Sequence, residues 1–115
     1  MVRSVLLATM LIAWTSLDSA PLAESLAAGL VEARHAACVQ IDGPLISHFR
    51  WEGQPQRAVE YRLTVKFLPE RQMELEAWIT NRHPYATPEW VVVEAEHVAE
   101  KYLSWARANS TSVPL

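Results

Sequence analysis

Apolar residues recur at helical spacing in the first third of the chain. The members of this stripe are Leu22, Leu26, Leu30 and Ala33. Asp18 and Ser19 stand just before it and are residue types that cap helix N-termini, and Pro21 suits a first helical turn. The pattern therefore predicts a helix from about Ala20 to His35.

The period changes to two in the middle of the chain, where apolar residues occupy odd-numbered positions. They are Val39, Ile41, Leu45, Phe49 and Trp51, and then Val59, Tyr61, Leu63, Val65 and Phe67. Gly43–Pro44 predicts a bend in the first run, and the segment Gly53 to Gln56 predicts a turn between the two. Two alternating runs joined by a short turn indicate an antiparallel hairpin.

The last third contains two further helices and a strand. A second helix is predicted after Pro69, and it must end by His83 because Pro84 follows. The continuous apolar run Trp90–Val93 is typical of a strand covered on both faces. A final helix is expected over about His97 to Ala108, followed by a loose tail, Asn109–Leu115.

The opening segment has two interpretations. A basic residue at Arg3, an apolar run over Val5–Trp14 and small residues at Ser19–Ala20 are the parts of a secretory signal peptide. The same run can instead be the first strand of the fold, which completes the order βαββαβ and adds one helix. We predict the strand, and hence an α+β, ferredoxin-like sandwich with a long hairpin between its second and third strands. A mature protein that starts at or after Ala20 would contradict this.

Composition narrows the function classes. The 115 residues are half hydrophobic with a net charge of −3, which predicts one globular domain over 1–115 with an ordered core at about 8–108. The ten basic residues are scattered, so nucleic acid is not an expected partner. The apolar run is too short to span a bilayer, so no membrane association is expected. A single cysteine favours a reducing compartment, and we expect a cytoplasmic protein.

The hairpin predicts an oligomer. Its first arm, about fifteen residues long, would extend roughly 50 Å if straight, whereas a domain of this size is about 35 Å across. An overhanging tip with Phe49, Trp51 and Tyr61 would expose apolar surface and an unpaired edge. We therefore expect a closed homo-oligomer joined through this hairpin.

Five blocks of sequence resemble the divalent-cation tolerance family, the CutA-like proteins. The blocks are VEARHAACVQI, FRWEG, AVEYRLTVK, RHPYATPEWVVVEAE and KYLSWARA. The resemblance runs from about Leu11 to Ala108 and implies a homotrimer in which hairpins and final helices cross between neighbours. It also implies a non-enzymatic protein that binds copper or other divalent ions in intersubunit clefts. The expected interface residues are Phe49, Trp51, Glu52, Tyr61, Tyr85 and Trp105.

The metal site implied by the resemblance is incomplete in this sequence. The positions that carry a cysteine and a histidine in some family members fall here on Thr15 and Arg82, and only Glu89 matches. A hydroxyl is a poor ligand for copper or zinc, and an arginine repels a cation. The metal ligands predicted for this chain are accordingly His83 and Glu89, two donors where a structural zinc takes about four.

Alternative functions stay open at this point. A trimeric sensor or scaffold for a small molecule or anion would need no metal, and Arg82 with His83 could hold an anion. A small enzyme on the same fold is disfavoured because three glycines provide no phosphate-binding loop and the HExxH and CxxC motifs are absent. An RNA-binding sheet is disfavoured by charge and by the lack of stacking aromatics.

Overall fold

The computed structural model describes residues 9–111. Within this range four strands and three α-helices alternate, with one short 3-10 helix between β3 and α2. Their bounds are β1 (Leu11–Leu17), α1 (Ala20–Glu32), β2 (Cys38–Trp51), β3 (Gln54–Phe67), the 3-10 helix (Pro69–Arg71), α2 (Gln72–Arg82), β4 (Val91–Glu94) and α3 (Glu100–Ser110).

The strands form one sheet in the order β2-β3-β1-β4, and every neighbouring pair is antiparallel. β1 lies at the centre, with Leu11 opposite Phe67 of β3 on one side and opposite Glu94 of β4 on the other. This strand order, with α1 and α2 as the two crossovers, is the ferredoxin-like arrangement. The predicted α+β fold class is confirmed.

The first strand is shifted relative to its prediction. β1 begins at Leu11 and continues to Leu17, beyond the expected end at Trp14, because pairing with β3 persists up to Leu17 opposite Tyr61. Residues 1–8, the early part of the predicted run, lie outside the described residues.

The first helix begins as predicted and ends early. Ser19 is the N-cap, and its hydroxyl accepts a hydrogen bond from the backbone N–H of Leu22 at 3.2 Å. The helix stops at Glu32 rather than His35, because Arg34 adopts a left-handed backbone conformation with φ of 62°. His35 therefore lies in the connection to β2.

The hairpin has a longer second arm and a tighter turn than predicted. β2 and β3 each contain 14 residues, and only Glu52 and Gly53 separate them. Both turn residues have positive φ, 50° and 78°, as a two-residue turn that follows the twist of the strands requires. The predicted turn at Gly53–Gln56 was wrong, but the predicted bend is present as a register shift between Asp42 and Leu45.

The core lies between one face of the sheet and α1 and α2. Its largest fully buried side chains from the strands are Leu11, Leu17, Leu63, Val65 and Phe67, and α1 and α2 add Leu30 and Leu75. A second, smaller cluster joins Leu103 and Ala106 of α3 to Met10, Ala37 and Leu68. On the other face of the sheet, Lys66 of β3 lies with its Nζ atom 5.8 Å from the centre of the Tyr102 ring of α3.

Two predictions for the last third need correction. β4 is open on one face in the single chain, where Val91 is 49% exposed, so the expectation of a strand covered on both faces was wrong for the protomer. α3 starts at Glu100 and extends through Asn109 to Ser110, two residues into the segment expected to be loose, and Ser110 is buried at its end.

Candidate functional site

A cleft of about 730 Å³ opens between the hairpin and the loop that follows α2. β1 ends at its floor with Ser16 and Asp18, the hairpin forms one wall, and the segment Tyr85–Glu89 forms the other. The hairpin residues that line it are Ser47, His48, Phe49, Trp51, Ala58 and Glu60. The cleft therefore combines polar groups at its base with two large aromatic side chains.

Glu60 is the buried charge of the cleft. Its exposed fraction is only 7%, although it lies on the polar side of an alternating strand. The Tyr85 hydroxyl donates a hydrogen bond of 2.9 Å to its Oε2 atom. A buried carboxylate is stable only with such donors, so Tyr85 holds this charge at the base of the cleft.

Burial and the neighbouring Glu60 carboxylate both raise the pKa of Tyr85. Burial raises the pKa of the Tyr85 phenol well above its usual range, and the hydrogen bond to Glu60 and the charges of Glu60 and Asp18 raise it further. Tyr85 therefore stays protonated at neutral pH and remains a hydrogen-bond donor.

A second carboxylate reaches the cleft from the loop. The Ser16 hydroxyl, buried at the end of β1, donates a hydrogen bond of 3.3 Å to Oε1 of the exposed Glu89. Asp18, exposed just beyond the end of β1, is the third carboxylate. Acidic and hydroxyl groups thus surround the base of the cleft.

His83 lies behind the cleft and contacts β1. Its Nε2 atom is 3.0 Å from Oγ1 of Thr15, whose side chain is fully buried on the helix-facing side of the strand. Its Nδ1 atom accepts the backbone N–H of Tyr85 at 3.1 Å. A space of only about 10 Å³ remains between Thr15, His83 and Glu89.

Burial favours the neutral form of the His83 imidazole. Burial lowers the pKa of the His83 ring, while a backbone hydrogen bond with Ser16 and the charge of Glu60 pull it the other way. An Nδ1 atom that accepts a hydrogen bond carries no proton, so the neutral ring is protonated on Nε2 and donates to Thr15.

Arg82 points away from this group. Its guanidinium lies 4.2 Å from the centre of the Trp78 ring, and Nη1 donates to the backbone carbonyl of Trp78 at 3.1 Å. The structure thus brings together Thr15, His83 and Glu89, and it leaves out Arg82.

The donors near Thr15 are fewer, within one protomer, than a copper or zinc site takes. Residues 9–111 contain no group of three or more His, Cys, Asp or Glu side chains arranged to hold a metal ion. Both ring nitrogens of His83 are already engaged, and Thr15 provides only a hydroxyl. The assignment of His83 and Glu89 as metal ligands stays a prediction, without support from their geometry in the protomer.

The expected interface residues lie on the hairpin, on the loop that follows α2 and on α3. Trp51 is 49% exposed on β2 and Phe49 lies close by, while Glu52 forms the exposed hairpin turn; Trp105 is 45% exposed on α3. Tyr61 packs partly against the protomer's own core, and Tyr85 bonds to Glu60. Their role between subunits stays a prediction.

Sequence reasoning missed the pairing of Glu60 with Tyr85. The alternation along β3 placed Glu60 on a solvated face, and the Tyr85 loop that buries it follows 25 residues later. The sequence does contain a pattern that could have indicated a fixed position for Tyr85, because this residue lies between Pro84 and Pro88. Such a rigid connection can carry a side chain to a fixed place on a neighbouring strand.

None of the helices in the described range, residues 9–111, has both the length and the apolar character needed to cross a lipid bilayer.

The fold and the cleft define a ferredoxin-like domain with a cleft beside a long hairpin. The family model of the CutA1 divalent ion tolerance protein matches residues 11–109. The chain belongs to this family.

Individual relatives agree with that assignment. A divalent-cation tolerance protein CutA from Thermus thermophilus is 35% identical over 95 residues, which cover 83% of this chain and 92% of that protein. Among solved structures, CutA1 from the psychrotrophic bacterium Shewanella sp. SIB1 is similar with a TM-score of 0.87 and 30% identity, covering 91% of this chain and 98% of that one. The solved structure of the divalent cation tolerance protein from Thermus thermophilus gives a TM-score of 0.84 and 32% identity, covering 89% of this chain and 99% of that one.

Proposed function

We propose that this protein acts in divalent-ion tolerance as a non-enzymatic homotrimer that holds a positively charged ligand in the cleft beside its hairpin. The observation that carries the proposal is the charge of the cleft. Three carboxylates, those of Asp18, Glu60 and Glu89, line it, and no lysine or arginine of the described residues does. A cleft of this kind favours a cation over an anion.

The aromatic wall supports the same class of ligand. Phe49 and Trp51 face the cleft from the hairpin, and the faces of aromatic rings attract cations. Divalent metal ions are the first ligands to consider, because the family is named for tolerance to them. Copper and zinc are the ions that the resemblance suggests.

The trimer would complete the cleft. Within one protomer, over the residues that the structure describes, the carboxylates do not form a metal centre, so a bound ion needs donors from a neighbour. Exposed apolar residues on the hairpin and on β4 provide surface for that neighbour; they are Ile46, Phe49, Trp51, Val59, Val91 and Val93. Buried between subunits, such residues stabilise an obligate interface.

Calorimetric titration of the purified protein tests the ligand class. Copper(II), zinc(II), inorganic phosphate and a nucleotide are titrated in turn into wild type, into Glu60→Gln and into Glu24→Gln, a control on the exposed face of α1. We expect a divalent cation to bind, with its affinity lowered about tenfold or more by Glu60→Gln and unchanged by Glu24→Gln. Binding of phosphate or nucleotide alone would support the sensor or scaffold alternative and contradict the proposal.

The cytoplasmic location and the absence of catalysis are part of the same proposal. The single cysteine supports a reducing compartment. The chain has only three glycines and no phosphate-binding loop, which supports binding rather than turnover. Cell fractionation with detection of the native protein checks the location.

A further inference from the structure

We propose that His83 is a structural clasp that joins the loop His83–Glu89 to β1 as a neutral imidazole, and that the position between Thr15, His83 and Glu89 is closed to copper and zinc. This inference concerns residues behind the cleft. It stands independently of whether a cation binds in the cleft itself.

The first argument is the use of both ring nitrogens. The backbone N–H of Tyr85 points at Nδ1 over 3.1 Å, so this atom must present a lone pair. The proton of the neutral ring then resides on Nε2, which faces Oγ1 of Thr15 at 3.0 Å. A metal ion on Nε2 would require a proton on Nδ1, opposite an N–H group that also carries a proton.

The hydrogen bond from Tyr85 to Nδ1 of His83 comes from a backbone N–H, so it does not depend on the side chain at position 85. His83 is the C-cap of α2, and its own N–H bonds to the carbonyl of Ile79 at 2.9 Å. Pro84 restricts the chain between His83 and Tyr85. Side-chain substitutions elsewhere in the site leave the Tyr85 N–H in place, so they leave the tautomer in place as well.

The second argument is space. The space among Thr15, His83 and Glu89 measures about 10 Å³, close to the roughly 10–15 Å³ that a single water molecule needs. A zinc or copper ion takes about four ligands, and the described residues place no third imidazole, thiol or carboxylate there. Arg82 lies over the Trp78 ring and provides no metal ligand.

The clasp has a consequence for the cleft. His83 fixes the start of the loop, its ring meets the Tyr85 ring edge-on with centres 5.0 Å apart, and Tyr85 in turn reaches Glu60. The buried Thr15 hydroxyl therefore positions, through His83, the wall that carries the Tyr85 hydroxyl. Thr15 and His83 are positioning residues in this account.

Nitrogen NMR on wild-type protein labelled with ¹⁵N-histidine tests the clasp directly. At pH 7 we expect the His83 ring to be the Nε2-protonated tautomer, and equimolar zinc to leave its two nitrogen shifts unchanged. A proton on Nδ1, or a zinc-dependent shift at Nε2, would overturn the inference. His97, exposed and outside the cleft lining, serves as the internal reference for nonspecific binding.

Variants provide a second, independent readout. We expect His83→Gln to leave copper affinity and stoichiometry within about twofold of wild type, and His97→Gln, at an exposed histidine outside the cleft lining, is the matched histidine control. Thr15→Val should raise the unfolding equilibrium constant about tenfold, the effect of one lost buried hydrogen bond, and His83→Gln, which removes the ring partner of both Thr15 and the Tyr85 N–H, should raise it by at least as much. The double variant should be no less stable than the less stable of the two single variants, because both substitutions remove the same Thr15–His83 hydrogen bond.

The outcomes separate this inference from the proposed function. A tenfold loss of copper affinity in His83→Gln, or strictly additive stability effects, would overturn the clasp. Copper binding that depends on Glu60 and is insensitive to His83 supports both. The absence of any cation binding would contradict the proposed function and leave the NMR result to decide the clasp.

Discussion

Removing the Tyr85 hydroxyl should destabilise the protein through the buried Glu60 carboxylate. Tyr85→Phe keeps the ring and removes the donor of the 2.9 Å hydrogen bond. Glu60 is only 7% exposed, so water has little access to replace that donor. A hydrogen bond to a charged group contributes about 1.5–3 kcal/mol, and we expect Tyr85→Phe to lower the free energy of unfolding by that amount per protomer.

A double-mutant cycle with Glu60→Gln separates the charge from the hydrogen bond. In the Glu60→Gln background the tyrosine would bond to a neutral amide, and its removal should cost only about 0.5–1.5 kcal/mol. The difference between the two backgrounds, about 1 kcal/mol or more, measures the coupling to the carboxylate.

Urea unfolding at a fixed protein concentration is the suitable assay, because the stability of an oligomer depends on concentration. Tyr61→Phe is the matched control on β3, since the Tyr61 hydroxyl makes no hydrogen bond among residues 9–111; its effect should stay below about 0.5 kcal/mol. A cost of Tyr85→Phe below about 0.5 kcal/mol, or an equal cost in both backgrounds, would refute the reasoning.

Three further predictions address packing, assembly and pH. Gly29→Ala would place a methyl group 2.7 Å from two atoms of the Trp78 ring, so overpacking should outweigh the roughly 1 kcal/mol gain in helix propensity; a rise in melting temperature would contradict this. Trp51→Ala should weaken the trimer by roughly 3–5 kcal/mol if Trp51 anchors a neighbour, and an unchanged trimer in light scattering at micromolar concentration would remove that role. Burial and then the charge of Arg71 lower the pKa of His35 below its usual 6.5, and Arg71 Nη2 lies 3.2 Å from its Nδ1. Below about pH 6.5 the unfolded chain binds the extra proton first, so stability should fall as pH drops through that value, and His35→Gln should show a smaller fall; identical pH profiles would refute the assignment.

Local patterns were sufficient to predict the order of elements. Ser19 caps α1 as its chemistry indicates, and Pro84 ends α2 at the expected place. The alternation along β3 is strong enough to identify a strand, because every second residue from Leu63 to Phe67 is buried. These features depend on neighbours within a few positions along the chain.

Features set by distant contacts were not predictable from the same patterns. Glu52 adopts positive φ in the hairpin turn, a conformation that its residue type does not suggest. Glu60 is buried by a loop 25 residues away, so a two-residue period alone marks it as solvated. A pattern along one strand carries no information about which loop covers it.

In the candidate site, too, local patterns predicted some features and distant contacts determined the others. The sequence identified the HPYATPE segment, and the structure places His83 opposite Thr15 and Glu89 near Ser16. The sequence did not predict that Arg82 turns toward Trp78. Consecutive residues at a helix end point about 100° apart, so a shift of one position decides which of them faces β1. Nor did the sequence reveal that both nitrogens of His83 have partners.

Anomalous diffraction from crystals grown with copper(II) tests the central claim most directly. We expect three chains around a common axis, with copper in the cleft beside Glu60 and the partner subunit's donors, and no anomalous density between Thr15 and His83. A single isolated protomer, or copper bound to Nε2 of His83, would contradict the account.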